Sequence, residues 1–493
     1  VIAQNLPVLL IVVPLIAAPL CVLIGNRKLV YLLALAVACA VFAMSVGLMA
    51  EVVRSGPIHY NIGNWAPPYG IEYVVDGLSG FVLLFVSAIG AVVLLYAPPS
   101  VEAEIPASKH YLFYATYLLC LTGLLGICIT GDLFNVFVFL EISSLSSYAL
   151  ISLGRTRRAP LAALQYLILG TVGATFILIG IGLIYQMTGT LNMADIAQRL
   201  PVGLQTRTGL VAFAFLTIGL CIKMAVFPLH TWLPGAYTYA PSVVTCFIAA
   251  TATKVSVYTF IRIVFGIISP QFAFVELPLA KGLMMMAIVG IFAASLAAIY
   301  QQDVKRILAF SSIAQVGYML LGISISNEAG LSAGIVHMFN HAIIKGGLFM
   351  VVGCFTLRLG SSQLSDWRGA GRTMPWTALA WTVGGLGLIG VPVTAGFVSK
   401  WMLLTAVIDS GAWPVGILML LSSLLALLYI WRVVETLYFN EPTEIAGQAT
   451  EPPLRMLIPT YLVVGSTLVF GVWTVYSAGL AQFAAIGLLG GTP

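Results

Sequence analysis

Glu141, Lys223, Lys254, His337, His341, Lys345 and Lys400 each stand inside a long apolar run of a 493-residue chain. If those runs cross a bilayer, each charge costs about 2.5–3.5 kcal/mol at the centre and needs a partner, water or a function. Glu141 and Lys223 have opposite signs, so helices that bring them together lower the cost for both. Moving the carboxylate away then removes what favours the protonated lysine, and the lysine releases its proton. The same pair can also be a static bridge that only fixes helix packing. Lys254 lies among Ala, Thr and Ser in Ala249-Ala-Thr-Ala-Thr-Lys254-Val-Ser-Val-Tyr258, neighbours that suit a hydrated interior path. Snorkelling is the alternative, but about a dozen membrane-compatible residues flank it on each side. His337, His341 and Lys345 recur at i, i+4 and i+8, on one helix face near Ser332 and Asn340. That face can relay protons, since histidine titrates near neutral pH. Structural hydrogen bonding and an HxxxH metal site are the competing readings, and the segment offers no carboxylate or cysteine to complete a metal site.

Lys400 follows Pro392 and Gly396, where an interrupted helix frees carbonyls that can hold water, and reads as a terminal proton carrier. His230, after Pro228, can line another interruption or simply pack in a loop. Asp132 sits at a span boundary as a helix cap, and His59 and His110 read as loop residues. Gly385-Leu-Gly387-Leu-Ile-Gly390 matches GxGxxG without any strand before it, so its small residues serve helix packing. The seven cysteines form no CxxC pair and read as small buried hydrophobes. No P-loop, Ser/His/Asp arrangement or cysteine cluster is present, so the reading includes no cofactor, no metal and no nucleotide-driven enzyme chemistry.

The elements that must position these groups follow from composition. Hydrophobic residues make up 60% of the chain and charged residues 8%, with a mean hydropathy of +1.04. A soluble domain carries about 25% charged residues, so lipid is the expected solvent. No basic run carries interleaved aromatics, which excludes nucleic acid as a partner. Apolar runs long enough to span occur at 6–24, 29–50, 76–97, 111–130, 132–154, 160–186, 208–229, 241–266, 277–300, 306–325, 331–358, 376–393, 396–438 and 455–476. The first reads as a retained span. The stretch 396–438 holds half of a broken helix (396–409) and a full span (413–438). The prediction is an all-α membrane protein of about 14 transmembrane helices in one polytopic domain, 1–493, joined by short linkers such as 188–208. Arg27/Lys28, Arg155/Arg157/Arg158, Lys305/Arg306, Arg358/Arg368/Arg372 and Arg455 follow odd-numbered spans. The positive-inside rule puts them in the cytoplasm and both termini outside.

An internal echo supports two halves. Thr188-Gly-Thr-Leu-Asn-Met-Ala-Asp195 resembles Leu359-Gly-Ser-Ser-Gln-Leu-Ser-Asp366, and Ser147–Ile151 resembles Gly317–Leu321, at offsets of about 170. A similar offset relates Lys223-Met-Ala-Val-Phe-Pro228-Leu-His230 to the Pro392/Gly396 segment. Paired interrupted helices point to a transporter site. Five spans separate the echoes, so the repeats, 111–266 and 277–438, are expected to be inverted.

Four runs then carry a resemblance: Gly131-Asp-Leu-Phe-Asn-Val-Phe-Val-Phe-Leu-Glu141; Lys223-Met-Ala-Val-Phe-Pro-Leu-His-Thr-Trp-Leu-Pro-Gly-Ala-Tyr-Thr-Tyr-Ala-Pro241; Lys254-Val-Ser-Val-Tyr-Thr-Phe-Ile-Arg262; and Asp303-Val-Lys-Arg-Ile-Leu-Ala-Phe-Ser-Ser-Ile-Ala-Gln-Val-Gly-Tyr318. Together they resemble the proton-translocating antiporter-like family. That family includes subunits L, M and N of NADH-quinone oxidoreductase and the large subunits of Mrp Na+/H+ antiporters. Within it, Pro234-Gly-Ala-Tyr and a lysine at 400 look most like the Mrp D-type subunits. The resemblance implies 14 helices in two inverted five-helix repeats, each with a broken helix. It implies that Glu141 and Lys223 are the family's carboxylate–lysine pair, Lys254 its central lysine and Lys400 its terminal one, with His337, His341 and Lys345 on the polar central helix. It further implies a secondary transporter subunit exchanging protons for Na+ or another monovalent cation, partnered by other Mrp subunits in a prokaryotic plasma membrane. A proton-pumping subunit of a respiratory oxidoreductase or membrane-bound hydrogenase is the alternative.

Overall fold

The computed structural model describes residues 3–200 and 204–490; residues 201–203 of the predicted 188–208 linker, and the outermost residues of the 1–493 domain, lie outside the described residues. Helices dominate because a backbone in lipid must satisfy its own hydrogen bonds. They are α1 Leu6–Ile24, α2 Arg27–Ser55, α3 Gly77–Glu104, α4 His110–Ile129, α5 Leu133–Ser152, α6 Arg158–Thr188, a short α7 Met193–Arg199, α8 Arg207–Met224, α9 Trp232–Tyr239, α10 Ser242–Ile263, α11 Leu279–Ile299, α12 Val304–Ser324, α13 Glu328–Leu359, α14 Pro375–Ile389, α15 Ala395–Asp409, α16 Trp413–Tyr438, a short α17 Glu444–Gln448, α18 Leu454–Val472 and α19 Val475–Leu488. Among the described residues, 13 helices are long and apolar enough to cross a membrane. With α14 and α15 as two halves of one further crossing, the expected number of about 14 is met.

Both interruptions fall where proline and glycine announced them. α8 ends at Ala225, which adopts a left-handed φ of 58°, and the chain restarts at Trp232 beyond Pro228. The indole of Trp232 donates to the Ile222 carbonyl at 2.9 Å, which repairs part of the break. α14 ends at Gly390 with φ 90°, and Thr394 caps α15 by accepting from the Phe397 amide. Gly396 lies against the first half: a Cβ there would sit 1.8 Å from the Gly387 carbonyl oxygen. Because that obstacle is backbone, Gly396→Ala is expected to destabilise the protein by about 1–3 kcal/mol or more. An unchanged melting temperature in detergent would contradict this close approach.

Loops divide the bundle into two faces. On one, strands β1 Ile58–Asn61 and β2 Glu72–Val75 form an antiparallel hairpin that bridges from Tyr73 to Thr130. Asp76 joins this hairpin to α10 through two bonds from Arg262, at 2.6 and 2.7 Å. Burial alone would raise the Asp76 carboxyl, but the Arg262 guanidinium brings it down to about 2. A backbone clasp ties the start of α5 to α7 on this face: Leu133 donates to the Leu191 carbonyl at 2.9 Å and Met193 to that of Gly131 at 2.8 Å. The opposite face has its own clasp at the start of α12, where Val304 donates to Ser362 and Leu364 to Gln302, both at 2.8 Å. Every one of these clasp residues in the first set has its counterpart 171 positions later, the offset of the sequence echo.

Several expectations change. The stretch between the predicted spans 29–50 and 76–97 holds the hairpin, whose four-residue strands are too short to announce a period. His59 lies in β1, where its Nδ1 is 2.5 Å from Glu72 Oε1. His110 is the buried first residue of α4, with its Nε2 3.1 Å from the Ile105 carbonyl. Neither is a plain loop residue. Cys39 is exposed, unlike the other six cysteines. α3 runs through Pro98 and Pro99, beyond the predicted end at 97, and closes only at Glu104. The last span bends at Trp473 and continues as α19. Gln482 there reaches Glu328 at the start of α13, while Arg358 at the far end of α13 bonds the Glu451 carbonyl. Asp132 caps α5 as expected, accepting from the Asn135 amide.

Candidate functional site

The helices that carry the seven charges pack in succession across the bundle, with α6 joining the first two: α5 on α6, α6 on α8, α8 on α10, α10 on α13 and α13 on α15. α10 and α13 are enclosed along most of their length, so the charges on them have no route to snorkel out.

At the first end, Lys223 lies on the last turn of α8, just before the break. Its Nζ is 3.7 Å from Glu141 Oε1 and donates to Ser144 Oγ at 2.9 Å. The ammonium is therefore held by a serine one turn beyond the carboxylate, with the carboxylate at ion-pair distance rather than direct hydrogen-bond distance. Lys223 is buried, whereas the Glu141 side chain keeps 26% of its surface on the flank of the bundle. A small cavity of about 20 Å³ adjoins the lysine, lined by Ser143, Ser144, Ser147, Ala252 and Ser256 among others. It is room for about one water, and it touches α10 on both sides of residue 254.

Lys254 is fully buried. It donates to the Ala249 carbonyl at 2.5 Å and to Thr253 Oγ1 at 3.3 Å. No carboxylate bridges it among the described residues. On α13, His341 is buried with both ring nitrogens free of protein partners among the described residues, and His337 is likewise free at Nε2. The two rings lie parallel within 6°, their centroids 6.3 Å apart. Buried polar atoms of this kind are ordinarily satisfied by water. Lys345, one turn further on, donates to the Leu308 carbonyl at 2.8 Å and to Ser311 Oγ.

The far end is built around the second break. Lys400 donates to the carbonyls of Leu388 at 3.2 Å and Ile389 at 2.8 Å, the groups that the end of α14 leaves without helical donors, and to Ser423 Oγ at 3.3 Å. Its Nζ stands 5.0 Å from the Tyr318 ring centroid, and that ring is 5.5 Å from His337. Ser399, the neighbour of Lys400, pairs with His337 Nδ1 at 3.0 Å. Asn340 donates to the Ala395 carbonyl at 2.6 Å. The α13 face is thus bolted to the start of α15.

His230 lies in the first break, stacked on Phe227 at 5.2 Å, and no bond joins it to Lys223 among the described residues. The GxGxxG glycines serve close packing, since a Cβ at Gly385 would meet Ile430 at 2.6 Å. Among the described residues no group of three or more His, Cys, Asp and Glu side chains gathers. Three participants gave no signal in the sequence. Ser144 and Ser399 are hydroxyls in helices full of them. Lys305 pairs with Glu104 at 3.8 Å, but both sit at span ends, where charge is ordinary.

A line of buried ammonium, imidazole and hydroxyl groups that starts at a carboxylate has the chemistry to hold and pass protons. The family model described as "NADH:quinone oxidoreductase/Mrp antiporter, TM" matches residues 130–428. NADH-quinone oxidoreductase subunit N of Desulforudis audaxviator is 40% identical over 484 residues, covering 95% of this chain and 96% of that protein. The D-type subunit of the Na(+)/H(+) antiporter of Alkalihalophilus pseudofirmus is 30% identical over 475 residues, covering 95% and 94%. A chain of the Mrp complex from Dietzia superposes with a TM-score of 0.90 at 26% identity, over 99% of this chain and 98% of that one. A chain of an archaeal membrane-bound sulfane sulfur reductase does so with 0.91 at 31%, over 98% of each. The family match covers more than half of the chain and takes in Glu141, Lys223, Lys254, the histidine face and Lys400, so this chain belongs to the NADH:quinone oxidoreductase/Mrp antiporter transmembrane family.

Proposed function

We propose that this chain is the proton-translocating subunit of a multisubunit Na+/H+ antiporter of the Mrp type, held in a prokaryotic plasma membrane with other Mrp subunits. Protons move laterally along Lys223, Lys254, the His337/His341/Lys345 face and Lys400. The Glu141–Lys223 separation sets whether the first lysine keeps its proton, and His230 serves the first break. The observation that carries this reading is the uninterrupted succession of packed helices from the 3.7 Å Glu141–Lys223 pair to Lys400 at the second break. Among the described residues no carboxylate cluster lies along the line, and the cation is assigned to another subunit. The repeats 111–266 and 277–438 are inverted halves, a reading supported by the two backbone clasps 171 residues apart on opposite faces. The arginine-rich face, opposite the hairpin, is cytoplasmic and both termini are outside.

The test is to purify the complex from its own membrane, identify the co-purifying subunits and measure Na+-driven proton movement in proteoliposomes. Mrp subunits and cation-driven alkalinisation are expected. A second reading, a proton-pumping module driven by electron transfer elsewhere, is favoured by the 40% identity to an NADH-quinone oxidoreductase subunit. Co-purifying flavin or iron–sulfur subunits, with no cation-driven proton movement, would replace the first reading with the second.

A further inference from the structure

We propose that Glu104 and Lys305 are a second proton-handling carboxylate–lysine pair, which loads Lys254 from a polar cavity through hydroxyls on α9 and α10. This inference rests on the relay reading above and names the port that serves it.

Four observations converge. Lys305 is buried although it lies on the first turn of α12. Its Nζ is 3.8 Å from Glu104 Oε2 and 3.1 Å from the Ala240 carbonyl. The same carboxylate oxygen accepts from the amide and hydroxyl of Ser242, at 2.9 and 3.1 Å. Glu104 thereby joins the lysine to the first residue of the helix that carries Lys254. The pair opens onto a cavity of about 360 Å³ on the arginine-rich face, lined by Glu104, Arg155, Thr238, Asp303, Lys305 and Ser362 among others. Thr238 lines it with a buried hydroxyl that has no partner among the described residues.

From that pair, hydroxyls lead inward for about 18 Å, the rise of twelve helical residues. Ser242 is followed one turn on by Thr245, whose hydroxyl donates to the Tyr237 carbonyl at 3.0 Å. The Tyr237 hydroxyl reaches the Ile248 carbonyl at 3.5 Å, five residues before Thr253. Thr253 in turn accepts from Lys254. The relay requires a single water in each gap between these hydroxyls. An anchoring role for Lys305 would account for its bond to Ala240. It would also account for the carboxylate at the start of α10, which satisfies an amide that the helix leaves free, but not for the hydroxyls that continue inward from Ser242. In the step itself, the Lys305 ammonium gives one proton to the ladder, and the ladder's inner end gives one to the free amine of Lys254. The Lys305 amine, still beside Glu104, then takes a proton from cavity water. One proton leaves the aqueous phase, one ammonium forms at Lys254, and no other bond changes.

Arginine separates relay from anchor, because it keeps the charge and the carbonyl contact but does not release its proton. In proteoliposomes of the whole complex, Lys305→Arg and Glu104→Gln are each expected to slow cation-driven proton movement by at least about 100-fold with subunit composition unchanged. Lys305→Arg that keeps half or more of the native rate overturns the proposal. Should either variant fail to assemble, the cavity itself is tested through Ser361→Cys, at a serine that also lines it, in a Cys39→Ser background. A membrane-impermeant thiol reagent is expected to slow transport by the labelled complex relative to the same complex unlabelled, and labelling without effect on rate overturns the port. Glu141→Ala measured alongside distinguishes the two levels. Loss there with retention in Lys305→Arg removes only the port, whereas retention in both removes the relay reading as well.

Discussion

Replacing Glu141 or Lys223 with alanine is expected to reduce cation-driven proton movement at least about 100-fold, the low end of what a positioned acid–base group contributes. The two substitutions reach that result differently. Glu141→Ala leaves the Lys223 ammonium buried with only Ser144 to hold it, and an uncompensated buried charge costs about 3–5 kcal/mol. The lysine then gives up its proton and stays neutral through the cycle. Lys223→Ala leaves a carboxylate that is a quarter exposed on the flank of the bundle, so its orphan charge is tolerated more easily and assembly should suffer less. The double variant Glu141→Leu/Lys223→Met decides between switch and static bridge. Exchanging a buried pair for apolar residues of similar volume is often neutral or stabilising. A complex that assembles normally but does not transport supports the switch. Transport at or near the native rate in the double variant means the pair only packs helices, and the pathway would have to begin at Lys254.

How much of this could be read from the chain depends on whether each residue was unusual where it stood. A lysine or histidine inside twenty apolar residues carries its own warning, because lipid gives it no cheap conformation. All seven such groups fall along one succession of packed helices. Pro228, Pro392 and Gly396 likewise announced the interruptions, since a fixed φ or a missing side chain is hard to hide in an apolar helix. The Glu104–Lys305 pair carried no such warning. Its two residues sit at span ends, where charges are ordinary, and only the packing of α3 and α12 against the start of α10 brings them within 3.8 Å. Ser399 and Tyr318 were invisible for a related reason. Serine and tyrosine are common in membrane helices, and what distinguishes these two is that one bonds His337 while the other lies between it and Lys400. The bend at Trp473 also escaped notice, because Gly471 before it acquires its role only from the Val393 carbonyl, 2.1 Å from where its Cβ would stand.

Lys254 should separate function from stability more cleanly than the pair does. It is fully buried, yet its bonds go to a carbonyl and a hydroxyl and to no carboxylate. Removing it therefore orphans no charge, and a neutral unbranched side chain of similar length fills the same space. Lys254→Met is expected to leave assembly intact and the melting temperature equal to or above that of the native complex, while cation-driven proton movement falls at least about 100-fold. Lys254→Arg is expected to be as inactive, because a guanidinium cannot hand on its proton, and less stable, because the larger cation meets the same buried site. The order of the two variants carries the meaning. If buried charge at this position served packing, arginine would be the better replacement and methionine the worse. If the position holds and releases a proton, both fail in transport while methionine succeeds in folding. A Lys254→Met complex that transports at more than about a tenth of the native rate would remove the central lysine from the path, and would require that protons cross from the small cavity beside Lys223 to His341 through water alone.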